Sequence, residues 1–152
     1  MTAADDSRIF ATLSPMLDEA QSLLARLDAL SKRQGEFIDD GAPERLLGLL
    51  EERQVVIDRL SEIIAAADPL RARLERAPGA STAQKQSVRD RLNAISEGVG
   101  WISLRDKKDG ERLQQRRDDI AGQLAGLGAS RTAHAAYGSA RPAGPRFQDK
   151  QA

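Results

Sequence analysis

Apolar residues recur along this chain in steps of three and four. From about Asp5 to Asp39 the series is Ile9, Leu13, Met16, Ala20, Leu23, Leu27 and Leu30, resuming at Phe37 after the polar Gln34. That alternation is the seam of a helix packed along its whole length. Leu17, Leu24 and Ile38 widen the stripe beyond a two-position seam, which suits a bundle better than a lone dimeric coiled coil. Pro15 lies inside the pattern. It either kinks the helix or, with Ser14 as cap, marks its start.

Asp39-Asp40-Gly41-Ala42-Pro43 reads as a turn, with Pro43 and Glu44 placed to open a second helix. Its stripe is Leu46, Leu49, Val56, Leu60, Ile63, Ala67, Leu70 and Leu74, and Arg53 falls on the seam between Leu49 and Val56. Asp68-Pro69 interrupts the run, so this helix kinks there or ends and restarts. Ala77-Pro78-Gly79-Ala80 is the next break, and Ser81 is a suitable cap for a third helix.

The third stripe reads Val88, Leu92, Ile95, Val99 and Ile102, then Leu113, Ile120, Leu124 and Leu127. Between the two blocks the seam positions are Asp106 and Asp109, with Arg116 further on. Gly98, Gly100 and Gly110 fall in the same region, each costing roughly 0.5–1 kcal/mol against alanine inside a helix. The sequence thins this helix's apolar face where it also weakens its backbone.

From Gly128 the pattern stops, and Tyr137 and Phe147 are the bulky apolar residues that remain. Such a stretch cannot offset the entropy of ordering, so residues 128–152 are expected to be a flexible, disordered tail. The expected fold is therefore all-α. Residues 1–127 form an antiparallel bundle of three long helices, kinked or split at Pro15 and Pro69, followed by the tail.

Composition narrows the chemistry. The 152 residues carry 23 Lys plus Arg against 23 Asp plus Glu, and no cysteine. Zero net charge argues against a nucleic-acid binder working through a basic surface. The absence of cysteine removes disulfides, thiolate metal sites and a cysteine nucleophile. Apolar runs such as Ile63–Ala67 are too short to cross a bilayer, and the N-terminus lacks a secretory pattern. A cytoplasmic protein without membrane insertion is expected. Charge is graded, from −4 over residues 1–40 and −1 over 41–80 to +2 over 81–127 and +3 over 128–152. An acidic first helix beside a basic third favours their pairing.

No catalytic constellation, cofactor motif or metal site is legible. His134, the sole histidine, lies in the expected tail, and paired carboxylates such as Asp118-Asp119 read as a solvated helix face. Trp101 is the most unusual residue. It is either bundle packing or an anchor for a partner helix, with Gly98 and Gly100 allowing another chain to approach. The long stripe likewise belongs to a self-contained bundle or homodimer, or to a groove for a foreign amphipathic helix.

Two stretches resemble the FlgN-type flagellar export chaperones. Leu46–Ile64, LLGLLEERQVVIDRLSEII, is similar to that family's second-helix region. The ending, with Tyr137-Gly138, a small-residue basic linker and Arg146-Phe147-Gln148-Asp149-Lys150, resembles the family's C-terminus. The resemblance implies a non-enzymatic cytoplasmic chaperone without cofactor. It would bind the C-terminal helices of the hook-associated (hook–filament junction) proteins and deliver them to the type III export gate. It further implies a client-facing stripe of Val88, Leu92, Ile95, Val99, Ile102, Leu113, Ile120 and Leu124, to which the anchor reading adds Trp101 as a partner-binding candidate, with Tyr137 as the gate-docking residue. The alternative is a coiled-coil scaffold or homo-oligomeric adaptor with no export client.

Overall fold

The computed structural model describes the backbone of residues 3–139 and the side chains of residues 4–129. Three helices account for nearly all of it: α1 (Ala3–Asp40), α2 (Pro43–Glu75) and α3 (Thr82–Ser139). Among the described residues there is no strand. The expected all-α architecture of three long helices is what is observed.

Local chemistry sets each boundary. Gly41, at φ 64°, ends α1 in the left-handed region that glycine enters without a side-chain clash. The Gly41 and Ala42 amides donate to the Ile38 and Phe37 carbonyls, satisfying two end groups of the helix. Pro43 then starts α2, where its missing amide costs nothing. At the start of α3, Ser81 and Gln84 cap each other: the Gln84 amide donates to Ser81 Oγ (3.0 Å) and the Ser81 amide to Gln84 Oε1 (3.1 Å).

Neither inner proline divides its helix. Pro15 lies within α1 and Pro69 within α2. Both are exposed, as are Ala11 and Ala65 one turn before them, so water can serve the carbonyls that each proline leaves without a donor.

Contacts between helices give their directions. Arg91 of α3 pairs with Asp18 of α1, and Arg105 with Asp28, at nearly constant sequence offset, so α1 and α3 run parallel. Arg59 and Arg26 of α2 and α1 pair with Glu19 and Glu52 in reversed order, so α2 is antiparallel to α1. The expected attraction between an acidic α1 and a basic α3 is realised in the Arg91 and Arg105 pairs.

The chain divides into two compact units, Met1–Gly110 and Glu111–Ala152. The core lies in the first. It is built from Ile9, Leu13, Leu17, Ala20, Leu27 and Leu30 of α1, Leu49, Val56, Leu60, Ile63, Ala67 and Leu74 of α2, and Val88, Ile95 and Ile102 of α3. In α1 the buried seam is turned slightly from the expected one: Leu17 and Ile38 are sealed, while Met16 and Phe37 are half-buried. At one end Asp6 is buried and its Oδ2 accepts the Gly79 amide at 2.7 Å, tying the α2–α3 turn to the start of α1.

The bundle was expected to give way to the tail after residue 127. The first unit ends at Gly110, and α3 continues as helix to Ser139. The backbone is helical because Ala, Gln, Arg and Leu favour a helix even without a buried face. The remainder of the expected tail, residues 140–152, lies outside the described residues.

Candidate partner-binding surface

The stripe predicted on α3 separates into three environments. Val88, Ile95 and Ile102 are core residues. They fall seven apart, on the line of α3 that faces both other helices. Leu92 is half-buried against that core, and Val99 is exposed. Leu113, Ile120 and Leu124 are also exposed, at 38%, 50% and 63%, together with Leu127 at 56%. Every residue from 111 to 129 is exposed. The nine candidates thus do not form one continuous surface. Tyr137 belongs to the helical backbone of α3, and its side chain is outside the described residues.

Trp101 is 68% exposed, so it is not core packing. It borders a groove of about 490 Å³ between α1 and α3, with Leu24, Ala25, Ala94, Gly98 and Ile102 among the walls. Gly98 does allow close approach, but to this chain's own α1: a Cβ there would lie 2.6 Å from Leu24 Cδ2. Gly100 faces open space. A second groove, about 560 Å³, lies between α2 and α3, lined by Ile57, Ile64, Ala65, Val99 and Ser103, with Arg53 and Asp106 at one end.

The polar seam residues meet at one level of the bundle. Arg53 of α2 donates through Nη1 to Gln34 Oε1 of α1 (3.0 Å) and through Nη2 to Asp106 of α3. Gln34 donates to Asp109 Oδ2 (3.1 Å), and Ser31 Oγ lies 3.2 Å from Asp106 Oδ1. Ser31, Gln34 and Asp109 are buried. Arg53 Nε is also buried and has no hydrogen-bond partner. Sequence reasoning placed Gln34, Arg53, Asp106 and Asp109 on their seams one by one. It did not join them, because the offset between helices is not visible in any single heptad pattern. The signal was that each helix breaks its stripe near the same level.

Elsewhere the helix surfaces carry exposed ion pairs. The Arg105 guanidinium, hydrogen-bonded at 2.8 Å, holds the Asp28 carboxyl below its ordinary range, with Lys32 adding to the effect. Arg89 does the same to Glu75 across the α2–α3 turn, and the pair raises Arg89 in return. Glu19 likewise raises Arg59. The Asp118 and Asp119 carboxylates accept bonds from Gln114 and Gln115 one turn earlier. Among the described residues no cluster of acidic or histidine side chains could hold a metal ion. Nor is any helix among them long and apolar enough to cross a membrane.

Comparison with protein-family models, with curated proteins and with solved structures found no match to this chain.

Proposed function

We propose that this protein is a cytoplasmic, non-catalytic helix-binding chaperone of the flagellar export type. Its clients would be the C-terminal amphipathic helices of the hook–filament junction proteins, held until delivery to the type III export gate. One observation carries the reading. The apolar stripe of α3 continues past the packed unit with the same spacing, yet Leu113, Ile120, Leu124 and Leu127 are exposed. An apolar stripe at helical spacing is the surface on which another amphipathic helix packs. The resemblance of Leu46–Ile64 and of the C-terminal residues to the FlgN-type family names the client class.

Magnitudes favour transient capture over a permanent scaffold. Together the four side chains expose about as much as two fully exposed leucines, worth roughly 3–6 kcal/mol on burial. Association itself costs about 4–15 kcal/mol. A partner helix buries a matching stripe of its own, so the two together bring roughly 6–12 kcal/mol, enough for a weak complex. A homodimer held by these residues alone buries the stripe of both copies and would be equally weak on the same arithmetic.

The test is titration of the full chain with synthetic C-terminal helices of the host's hook–filament junction proteins, followed by calorimetry. Binding that is lost in the Ile120→Asp/Leu124→Asp double variant supports the reading. No binding to any junction-protein helix overturns it.

A further inference from the structure

A second line of positions runs along α3 beside the core line of Val88, Ile95 and Ile102. In steps of four and three it passes Ser96, Val99, Ser103, Asp106 and Gly110, then Leu113, Arg117, Ile120, Leu124 and Leu127. The helix is unbroken over all of them. The first half holds no side chain larger than valine, and Ser96, Val99, Ser103 and Gly110 are exposed. The second half is large, apolar and exposed. Val99 and Ser103 also border the α2–α3 groove of about 560 Å³, opposite Ile57, Ser61 and Ile64. On α2, Leu50, Ile57 and Ile64 repeat every seven residues beside the core line of Leu49, Val56 and Ile63, and Leu50 is exposed. Each chain thus carries a groove lacking a helix and a helix face lacking a groove.

We propose that a second copy of this chain supplies the match: the Leu113–Leu127 face of one copy packs antiparallel into the α2–α3 groove of the other, and the reverse. Antiparallel helices meet in layers, large side chains filling the space left by small ones. One register sets Leu127 against Ser96, Leu124 against Val99, Ile120 against Ser103 and Leu113 against Gly110. Arg117 then comes opposite Asp106, whose carboxylate Arg53 already engages, so this layer brings no like charges together. Shifting by one heptad either way sets Arg117 on Val99 or Leu124 on Asp106, so the fit selects its own register. The relation is reciprocal, as a two-fold pair requires: if Ile120 of one copy meets Ser103 of the other, the converse contact follows. Stripe against stripe is the poorer arrangement. In parallel it sets Arg117 beside Arg117, and in either direction it leaves the groove unfilled. Each contact spans about 21 Å of helix, so two contacts about 10 Å wide cover on the order of 800 Å² before the α2 walls are counted. That is near the low end for specific interfaces. The pair is therefore concentration-dependent, and dilution frees the stripe for a client helix. The pairing does not rest on the client reading.

Because the chain has no cysteine, single introduced cysteines report their neighbours. Ser103→Cys and Ile120→Cys change exposed positions of the full chain. Mixed under mild oxidation, the two variants should form a disulfide-linked dimer containing one of each, since a disulfide needs Cα atoms within about 7 Å. Neither variant alone should give more than a trace. Sedimentation equilibrium of the parent from about 5 to about 500 μM should show a monomer passing to a dimer by mass action. Ser103→Arg should weaken that dimer at least about 10-fold with unchanged far-UV helicity, because the bulky cation fills the hole for Ile120. A dimer linked through Ile120→Cys alone assigns stripe-on-stripe pairing and overturns the proposal. A chain that stays monomeric throughout and gives no mixed disulfide also overturns it, and leaves the client reading standing if junction-protein helices still bind. A mixed disulfide in a chain that binds no junction-protein helix supports the pairing and overturns the client reading instead.

Discussion

Arg53 of α2 and Asp106 of α3 form an ion pair that also engages Gln34 of α1, so all three helices are joined at one polar level. The two side chains are 13% and 27% exposed, well shielded from solvent. Truncating either partner strands the other charge where water reaches it poorly. Asp106→Ala and Arg53→Ala are each expected to cost about 2–4 kcal/mol in urea denaturation, whereas Arg53→Leu/Asp106→Leu together should recover most of that loss. A single-variant loss below about 0.5 kcal/mol would show that solvent screens the pair.

Gly98 and Gly100 have the same intrinsic helix cost but different surroundings. At Gly100 a methyl group meets nothing within 4 Å. Gly100→Ala should therefore stabilise the chain by roughly 0.5–1 kcal/mol through helix propensity. At Gly98 the added methyl meets Leu24 at 2.6 Å, and the leucine must move. Gly98→Ala is expected to be neutral or destabilising, and Leu24→Ala in the same chain should cost less than it does alone. Thermal unfolding of the four variants checks both statements, and equal gains at the two glycines would refute the close approach of α1.

These pairs show which parts of the structure were readable in advance. The heptad spacing of Leu13, Leu27, Val56, Ile63, Val88 and Ile95 sufficed to place the helices and most of the core, because a buried seam repeats every seven residues. The Ser81 cap and the Gly41 turn were readable for a similar reason: their chemistry is local. What one helix cannot encode is its offset against another. That offset decides that Gly98 meets Leu24, and that Gln34, Arg53 and Asp109 share a level. It also decides where the core stops, so the α3 stripe continues in sequence beyond the residues that bury it.

Acid should weaken the fold through carboxylates whose partners are arginines. Asp28 and Glu75 both have folded values below the ordinary carboxylate range, owing first to hydrogen bonds from Arg105 and Arg89. A depressed value means that the unfolded chain takes up protons first. The stability from these pairs is complete above the unfolded carboxylate range, about pH 4, and is lost as pH falls through it toward the folded values. Thermal midpoints measured from pH 7 to pH 3 should therefore fall on acidification. Arg105→Gln should be less stable at neutral pH and show a shallower acid loss, since it removes the main cause acting on Asp28. A parallel acid loss in the variant would mean that Arg105 is not what holds the carboxyl down.

Two double substitutions on the same helix separate core from binding face. Ile95 and Ile102 are 4% and 3% exposed, so placing carboxylates there buries charge with no partner and opens the packing against α1 and α2. Ile95→Asp/Ile102→Asp is expected to unfold the first unit, with loss of far-UV helicity and of the cooperative thermal transition. Ile120 and Leu124 are half or more exposed, and their aspartates would remain in water. Ile120→Asp/Leu124→Asp should keep the thermal midpoint of the parent while losing its partner helix. If that variant also unfolds, the distal face contributes to the fold of the free chain and is not kept open for a partner. If Ile95→Asp/Ile102→Asp stays folded and merely stops binding, then α3 leaves the core to capture its client, and the client-facing surface is the seam itself.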